Sequence, residues 1–178
     1  PYINEKSLIK SIAAKGLKVD YLKLINSGLN SKSFYLKTNN NKRILKIYPE
    51  IDYLGRNRLL NELMFLQFLK KNNFDNVPEP LLWDEDKNWM VLSWLEGCNV
   101  KNIQSRHVTE LVNFILNIQK CKLNNEAKIL NQASEAFFDM NGHILCVEKR
   151  IDNLNKFFIK RDLEKNKRKT SSYEPNLI

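Results

Sequence analysis

The periodicity of apolar and polar positions changes several times along the chain. Over residues 5–15, Leu8, Ile9, Ile12 and Ala13 recur at helical spacing, with Asn4 placed to cap the start and Gly16 just past the end. This predicts a short amphipathic helix. From Val19 the period drops to two. Tyr21, Leu22, Leu24 and Ile25, then Phe34, Tyr35 and Leu36, then residues 43–48 predict three antiparallel strands. They are separated by a turn over residues 26–31 and a polar hairpin turn over residues 38–41. Pro49 lacks an N–H and ends the third strand. Residues 56–71 carry the strongest helical pattern, with Leu59, Leu60, Leu63, Leu66 and Leu69 on one surface. Val77-Pro78-Glu79-Pro80 opens an extended run, and residues 81–83 and 89–94 predict a second hairpin around a polar turn at 84–88. Beyond Gly97 the pattern is helical: residues 109–120, 126–138 and, after an interruption at Asn141-Gly142, 143–158.

These elements predict an α+β fold, an antiparallel sheet of about five strands with one long helix followed by an all-α part. The expected organisation is 1–97 as a sheet-bearing lobe, 98–160 as helices, and 161–178 as a basic, flexible tail. No Ser/Gly linker or internal repeat separates the first two parts.

Two charged residues stand out against the apolar patterns. Ile44, Lys46 and Tyr48 share one face of the third strand, opposite Leu45 and Ile47. A lysine there is costly unless its ammonium meets a partner or a wet cleft; the plain alternative is an edge-strand lysine that blocks aggregation. Glu62 borders the apolar surface of the 56–71 helix, where the plain alternative is a rim carboxylate. Each supplies the charge that the other needs. The Gly28–Ser31 turn, with Gly28, Asn30 and Ser31, would then present backbone N–H groups to phosphate oxygens, Lys46 would reach the phosphates, and Glu62 would hold Lys46. A lysine on the third strand and a glutamate on the next helix form the arrangement used in kinase-type phosphoryl transfer.

Composition narrows the classes. The 178 residues include 43% hydrophobic ones, enough for one sizeable core. No apolar run reaches the roughly 18–20 residues of a membrane span, and the first ten residues lack a signal peptide's apolar core. Cys98, Cys121 and Cys146 are odd in number and far apart, which suggests neither a disulfide framework nor a metal site and fits a reducing, cytoplasmic setting. The net charge is +9, yet residues 155–169 alone hold seven bases against two acids. Such concentration reads as a solvated helix face or tail more than as a nucleic-acid footprint, which spreads over a surface. His107 and His143 precede helical runs without triad or metal spacing, as capping or surface residues do.

In this order the segments resemble the N-terminal lobe of the aminoglycoside phosphotransferase and choline kinase-like family of small-molecule kinases. Residues 27–31 are similar to the family's nucleotide loop, 43–48 to its lysine strand, Asn61-Glu62 to its helix glutamate, 77–80 to its proline-bearing connection and 91–97 to its hinge. Residues 133–138 and 148–151 are similar to helical segments of bacterial members. The resemblance spans about residues 8–158 and implies a protein-kinase-like lobe that binds ATP with Mg²⁺, followed by a partial C-terminal lobe. It also implies that the hinge backbone from Ser93 to Leu95 hydrogen-bonds adenine, with Ile25, Ile44 and Leu92 packing its faces. The partners implied are a nucleotide and a small-molecule acceptor.

The family's His-Gly-Asp catalytic loop with a following Asn, and its later metal-binding aspartate, have no counterpart in the sequence. Residues 160–166, Lys-Arg-Asp-Leu-Glu-Lys-Asn, are the nearest approach, but the spacing is one short and the charged helical pattern runs through them. The Mg²⁺ ligands are therefore missing, and the chain is expected to be the nucleotide-binding part of a longer kinase or a degenerate relative, inactive alone. The competing expectation is a non-catalytic basic adaptor or nucleic-acid-binding protein using residues 156–169.

Overall fold

A computed structural model describes residues 4–28, 31–49, 57–131, 137 and 139–171, with side chains to residue 159 and at 161. The chain divides into two compact units, Pro1–Asn131 and Gln132–Ile178.

The first unit opens with α1 (Glu5–Ala14), where the Asn4 side chain accepts from the N–H groups of Lys6 and Ser7, satisfying donors that the first turn leaves unpaired. Gly16 follows with φ +88, the left-handed conformation that closes helices and favours glycine. Strands β1 (Tyr21–Ser27), β2 (Lys32–Thr38) and β3 (Asn41–Ile47) form a meander; then come α2 (Arg58–Lys71), β4 (Pro80–Asp84) and β5 (Trp89–Ser93). The sheet is antiparallel throughout, in the order β1-β2-β3-β5-β4. Asn39 and Asn40, both at positive φ, make the two-residue turn between β2 and β3, the geometry whose twist matches paired strands.

Alternation divides the sheet into two faces. Phe34, Leu36, Leu45, Trp89 and Val91 form one face and bury Leu8 and Ile12 of α1. The buried Ser11 hydroxyl accepts from the Trp89 indole at 3.1 Å and from the Lys87 ammonium at 3.0 Å, which fixes α1 against the sheet. On the other face, Met90 and Leu92 pack with Tyr48 and with Leu59, Leu63, Leu66 and Leu69 of α2. The apolar stripe at i, i+4, i+7 therefore sets which side of α2 meets the sheet. Asn57 caps α2 by accepting the Leu60 N–H at 3.0 Å.

After the sheet, α3 (Ser105–Lys120) begins four residues earlier than its apolar pattern suggests, because the Gln104 N–H donates to His107 Nδ1 at 3.0 Å. Only Phe114 and Ile118 of this helix join the α2 cluster, with Cys121 just beyond; Leu111, Val112, Ile115 and Leu116 are exposed. The helix expected over 126–138 is not observed where the chain is described. Residues Asn125–Ile129 form a 3₁₀ turn and Leu130 is extended, because Ala127 and Leu130 are drawn onto the α2 cluster. Residues 132–136 and 138 lie outside the described residues.

The second unit consists of α4 (Met140–Ser171) and its approach. Asn141-Gly142, expected as a break, lies in the first turn: Asp139 Oδ1 accepts the Gly142 N–H at 2.6 Å and caps the helix. His143 stacks edge-on with Phe137. The helix continues past Phe158 through the basic stretch, which is rich in good helix formers. No helix among the described residues is long and apolar enough to cross a membrane.

Leu59 is fully buried between α2 and the sheet. Leu59→Ala is expected to lower the unfolding free energy by about 2–5 kcal/mol, read from urea midpoints. A loss below about 1 kcal/mol would mean that α2 is not packed as described.

Candidate functional site

Residues 46 and 62 are brought together by two different elements. Lys46 lies near the end of β3, opposite Ser33 on one side and Met90 on the other, on the sheet face that α2 covers. Glu62 precedes the buried Leu63 on α2, at the border of its apolar stripe. The ammonium donates to both carboxylate oxygens, at 2.7 Å to Oε1 and 2.6 Å to Oε2. With 21% and 31% of the two side chains exposed, the pair is neither a bare surface contact nor a sealed one. An ammonium has three donors. Two are engaged here, and the partial exposure leaves the third within reach of a ligand.

Tyr48 completes this centre from one residue past the end of β3, and the Lys46 ammonium sits 5.3 Å from its ring centroid, within cation–π range. The tyrosine is only 5% exposed. Its hydroxyl is buried without a hydrogen bond of acceptable geometry, although it lies near enough to Glu62 to feel the carboxylate. Burial first, and then the negative charge of Glu62, push the phenol far above its usual range.

Of the glycine turn, residues 28 and 31 are described. Ser27 and Lys32 pair across it, and the Gly28 N–H donates to the Ser31 carbonyl at 3.1 Å. That N–H closes the hairpin and is not presented to a phosphate. A side chain at residue 28 would meet only that carbonyl, at an ordinary 3.6 Å. Asn30 lies outside the described residues.

At the end of β5, the Ser93 N–H donates to Glu79 O at 2.9 Å and its Oγ accepts the Glu79 N–H at 2.8 Å. Ser93 therefore anchors the proline-bearing connection, and its N–H is not available to a base. The Leu95 N–H makes none of the backbone hydrogen bonds found among the described residues. Leu92 is buried within the α2 cluster, whereas Ile25 opens onto a cleft. Just past Leu95, Glu96 accepts from Lys42 at 2.6 Å. This hydrogen bond holds the Glu96 carboxyl below its usual range and the Lys42 ammonium above its own.

The cleft is a feature that the sequence pattern did not single out. Tyr21, Lys23, Leu24, Ile25, Tyr35 and Trp94 enclose an open volume of about 580 Å³. On β1, Lys23 pairs directly with Tyr35 of β2 and Tyr21 lies two residues before it, and a register shift falls between Leu24 and Asn26, where Leu24 and Ile25 both line the opening. A period-two reading had the strands, but not the strand order that brings Trp94 beside Tyr35.

The model of the phosphotransferase enzyme family, APH, matches residues 22–141, more than half of the chain and a span that includes both Lys46 and Glu62. The chain belongs to this family. Among solved structures it is similar to a macrolide 2'-phosphotransferase type I, at 17% identity and a TM-score of 0.45, over 59% of this chain and 35% of that one. It thus spans about a third of that protein's length. A search of curated protein sequences found no match. The described residues include no group of three or more His, Cys, Asp or Glu side chains able to hold a metal ion.

Tyr48 gives a pH prediction. Its phenol is held protonated in the folded state, whereas in the unfolded chain it ionises near pH ~10. The stability that it contributes is complete below that pH and declines as pH rises above it. Tyr48→Phe is expected to flatten the alkaline fall in melting temperature and, by removing an unpaired buried hydroxyl, to leave neutral-pH stability unchanged or slightly higher. A marked loss of stability at neutral pH would show that the hydroxyl has a partner.

Proposed function

We propose that this chain forms the nucleotide-gripping part of an ATP-dependent phosphotransferase acting on a small hydroxylated or amino-bearing molecule, of the aminoglycoside kinase or choline kinase kind. The observation that carries this reading is the contact of Lys46 with both oxygens of Glu62 on the covered face of the sheet. Phosphoryl transfer is chiefly positioning and charge stabilisation. A lysine serves it when the ammonium is fixed near the phosphates without being neutralised by burial. Here Glu62 restrains the flexible stem of Lys46, and one N–H remains to donate to a phosphate oxygen. Tyr48 supports the ammonium from the strand side.

ATP fits this half of the reaction. Mg²⁺ does not fit the described residues, because no carboxylate cluster accompanies the lysine, and no step is assigned to it. The sequence likewise has no His-Gly-Asp run, so residues 1–178 alone are expected to bind nucleotide without transferring a phosphoryl group to an acceptor.

Calorimetric titration tests the reading. ATP is expected to bind the 178-residue chain, and Lys46→Ala to weaken binding at least about tenfold through loss of a charge-assisted hydrogen bond. Glu62→Gln should weaken it less, since the ammonium remains but loses its restraint. Equal ATP affinity of Lys46→Ala and the unaltered chain would remove Lys46 from the site.

A further inference from the structure

We infer that the cavity between the C-terminal end of α2 and the middle of α3 is a second binding site, and that it takes an uncharged polyhydroxylated ring, a sugar, on asparagine amides set around two phenylalanines. The inference is independent of the nucleotide reading above. Asn72, at the edge of this cavity, lies ten residues beyond Glu62, about 15 Å along the axis of α2 from the contact with Lys46.

The chain builds this cavity locally. α2 ends at Lys71, and the Asn72 N–H closes it by donating to the carbonyls of Phe68 and Leu69, each at 3.1 Å. Asn73 then takes a positive φ of 62°, which asparagine tolerates better than most residues, and Phe74 turns in to join the α2 cluster. From α3, the Phe114 ring meets Phe74 edge to face, with centroids 5.7 Å apart at 88°. The two rings give the cavity an apolar floor. Around them Asn73, Asn76, Glu110 and Asn113 line an open volume of about 690 Å³, a size suited to a small molecule.

The polar groups of the lining fall into two sets. One is spent on structure: Asn72 donates from Nδ2 to the Phe68 carbonyl at 2.8 Å and accepts from the Asn124 amide, and Asn117 accepts from the Lys120 ammonium at 3.1 Å. The other is unspent. Among the described residues, the side chains of Asn73, Asn76, Asn113 and Glu110 make no hydrogen bond or ion pair. Each of the three amides therefore offers a carbonyl acceptor and an NH₂ donor, and Glu110 adds a further acceptor. A hydroxyl also both donates and accepts, so a ring that carries several of them matches this set while its C–H groups rest on the phenylalanines. Other ligands match it less well. Asp75 and Glu110 repel an anion, Lys120 offsets their attraction for a cation, and a ring without hydroxyls would leave the amides unpartnered.

The experiment adds maltose to the 178-residue chain and follows the asparagine side-chain NH₂ signals by heteronuclear NMR. Saturable shifts are expected at Asn73, Asn76 and Asn113, with a Kd of about 1–10 mM, the range of a small ligand in an open site. Asn113→Leu should weaken maltose by about fivefold to tenfold through loss of its hydrogen bonds. Asn76→Ala, on the facing wall, should do likewise. Both positions are exposed, so melting temperatures close to that of the unaltered chain are expected, and the agreement of two variants from different elements separates loss of the site from loss of the fold. Glu110→Gln keeps an acceptor and should change the affinity by less than about threefold, and Lys46→Ala should leave it as it was. Cyclohexanol, inorganic phosphate and putrescine probe the apolar, anionic and cationic alternatives. No saturable shift at these amides up to about 50 mM maltose, an affinity unmoved by both Asn113→Leu and Asn76→Ala, or tighter binding of any of the three alternatives than of maltose would overturn the inference while leaving the role of Lys46 intact.

Discussion

The structure depends on a lysine placed where a lysine is expensive. Position 46 points to the sheet face that α2 covers, among Tyr48, Met90 and the leucines of the helix. An ammonium there is tolerable only if a carboxylate comes to it. Glu62 does so from sixteen residues away, and only if α2 lies in one rotation and one axial position on the sheet. Leu59, Leu63 and Leu66 set the rotation by burial. The ion pair then sets the axial position, since a slide of one residue along the helix would carry Glu62 out of reach. Apolar packing supplies most of the stability, and the charged pair selects which packing is used.

The same division organises the rest of the first unit. One sheet face belongs wholly to structure: α1 closes it, and Ser11 satisfies the buried Trp89 indole. The other face is shared. Where α2 covers β3, β5 and β4 it is core, and where β1 and β2 extend beyond that cover it opens into the aromatic cleft. The candidate site lies at the border between the two, where a charged group can be held by protein on one side and remain reachable from the other. Lys46 and Glu62, with about a fifth and a third of their side chains exposed, are at that border.

Much of this was legible from residue order. Period-two runs marked the first three strands, apolar runs around a polar turn marked the second hairpin, and the leucine spacing marked α2. The pairing of Lys46 with Glu62 followed from asking what either charge was doing beside an apolar surface. Other features depend on contacts that periodicity does not encode. Gly28 invites a phosphate-loop reading, but its N–H is spent on the Ser31 carbonyl, a choice made by the hairpin register. At Ser93, Glu79 is brought alongside by the proline-bearing connection and occupies its N–H. Residues 126–130 carry a helical pattern, but packing of Ala127 and Leu130 against α2 outweighs it. Asn141-Gly142 reads as a turn until Asp139 is seen to cap the helix around it. Trp94 meets Tyr35 only because β5 crosses back to lie beside β3.

The central claim is that Lys46 and Glu62 are energetically coupled in the folded chain. A double-mutant cycle with Lys46→Met and Glu62→Gln, read from urea unfolding at neutral pH, measures that coupling directly. A coupling free energy of about 1 kcal/mol or more is predicted for a half-covered pair with both carboxylate oxygens engaged. Additive effects of the two substitutions, with coupling indistinguishable from zero, would contradict the account.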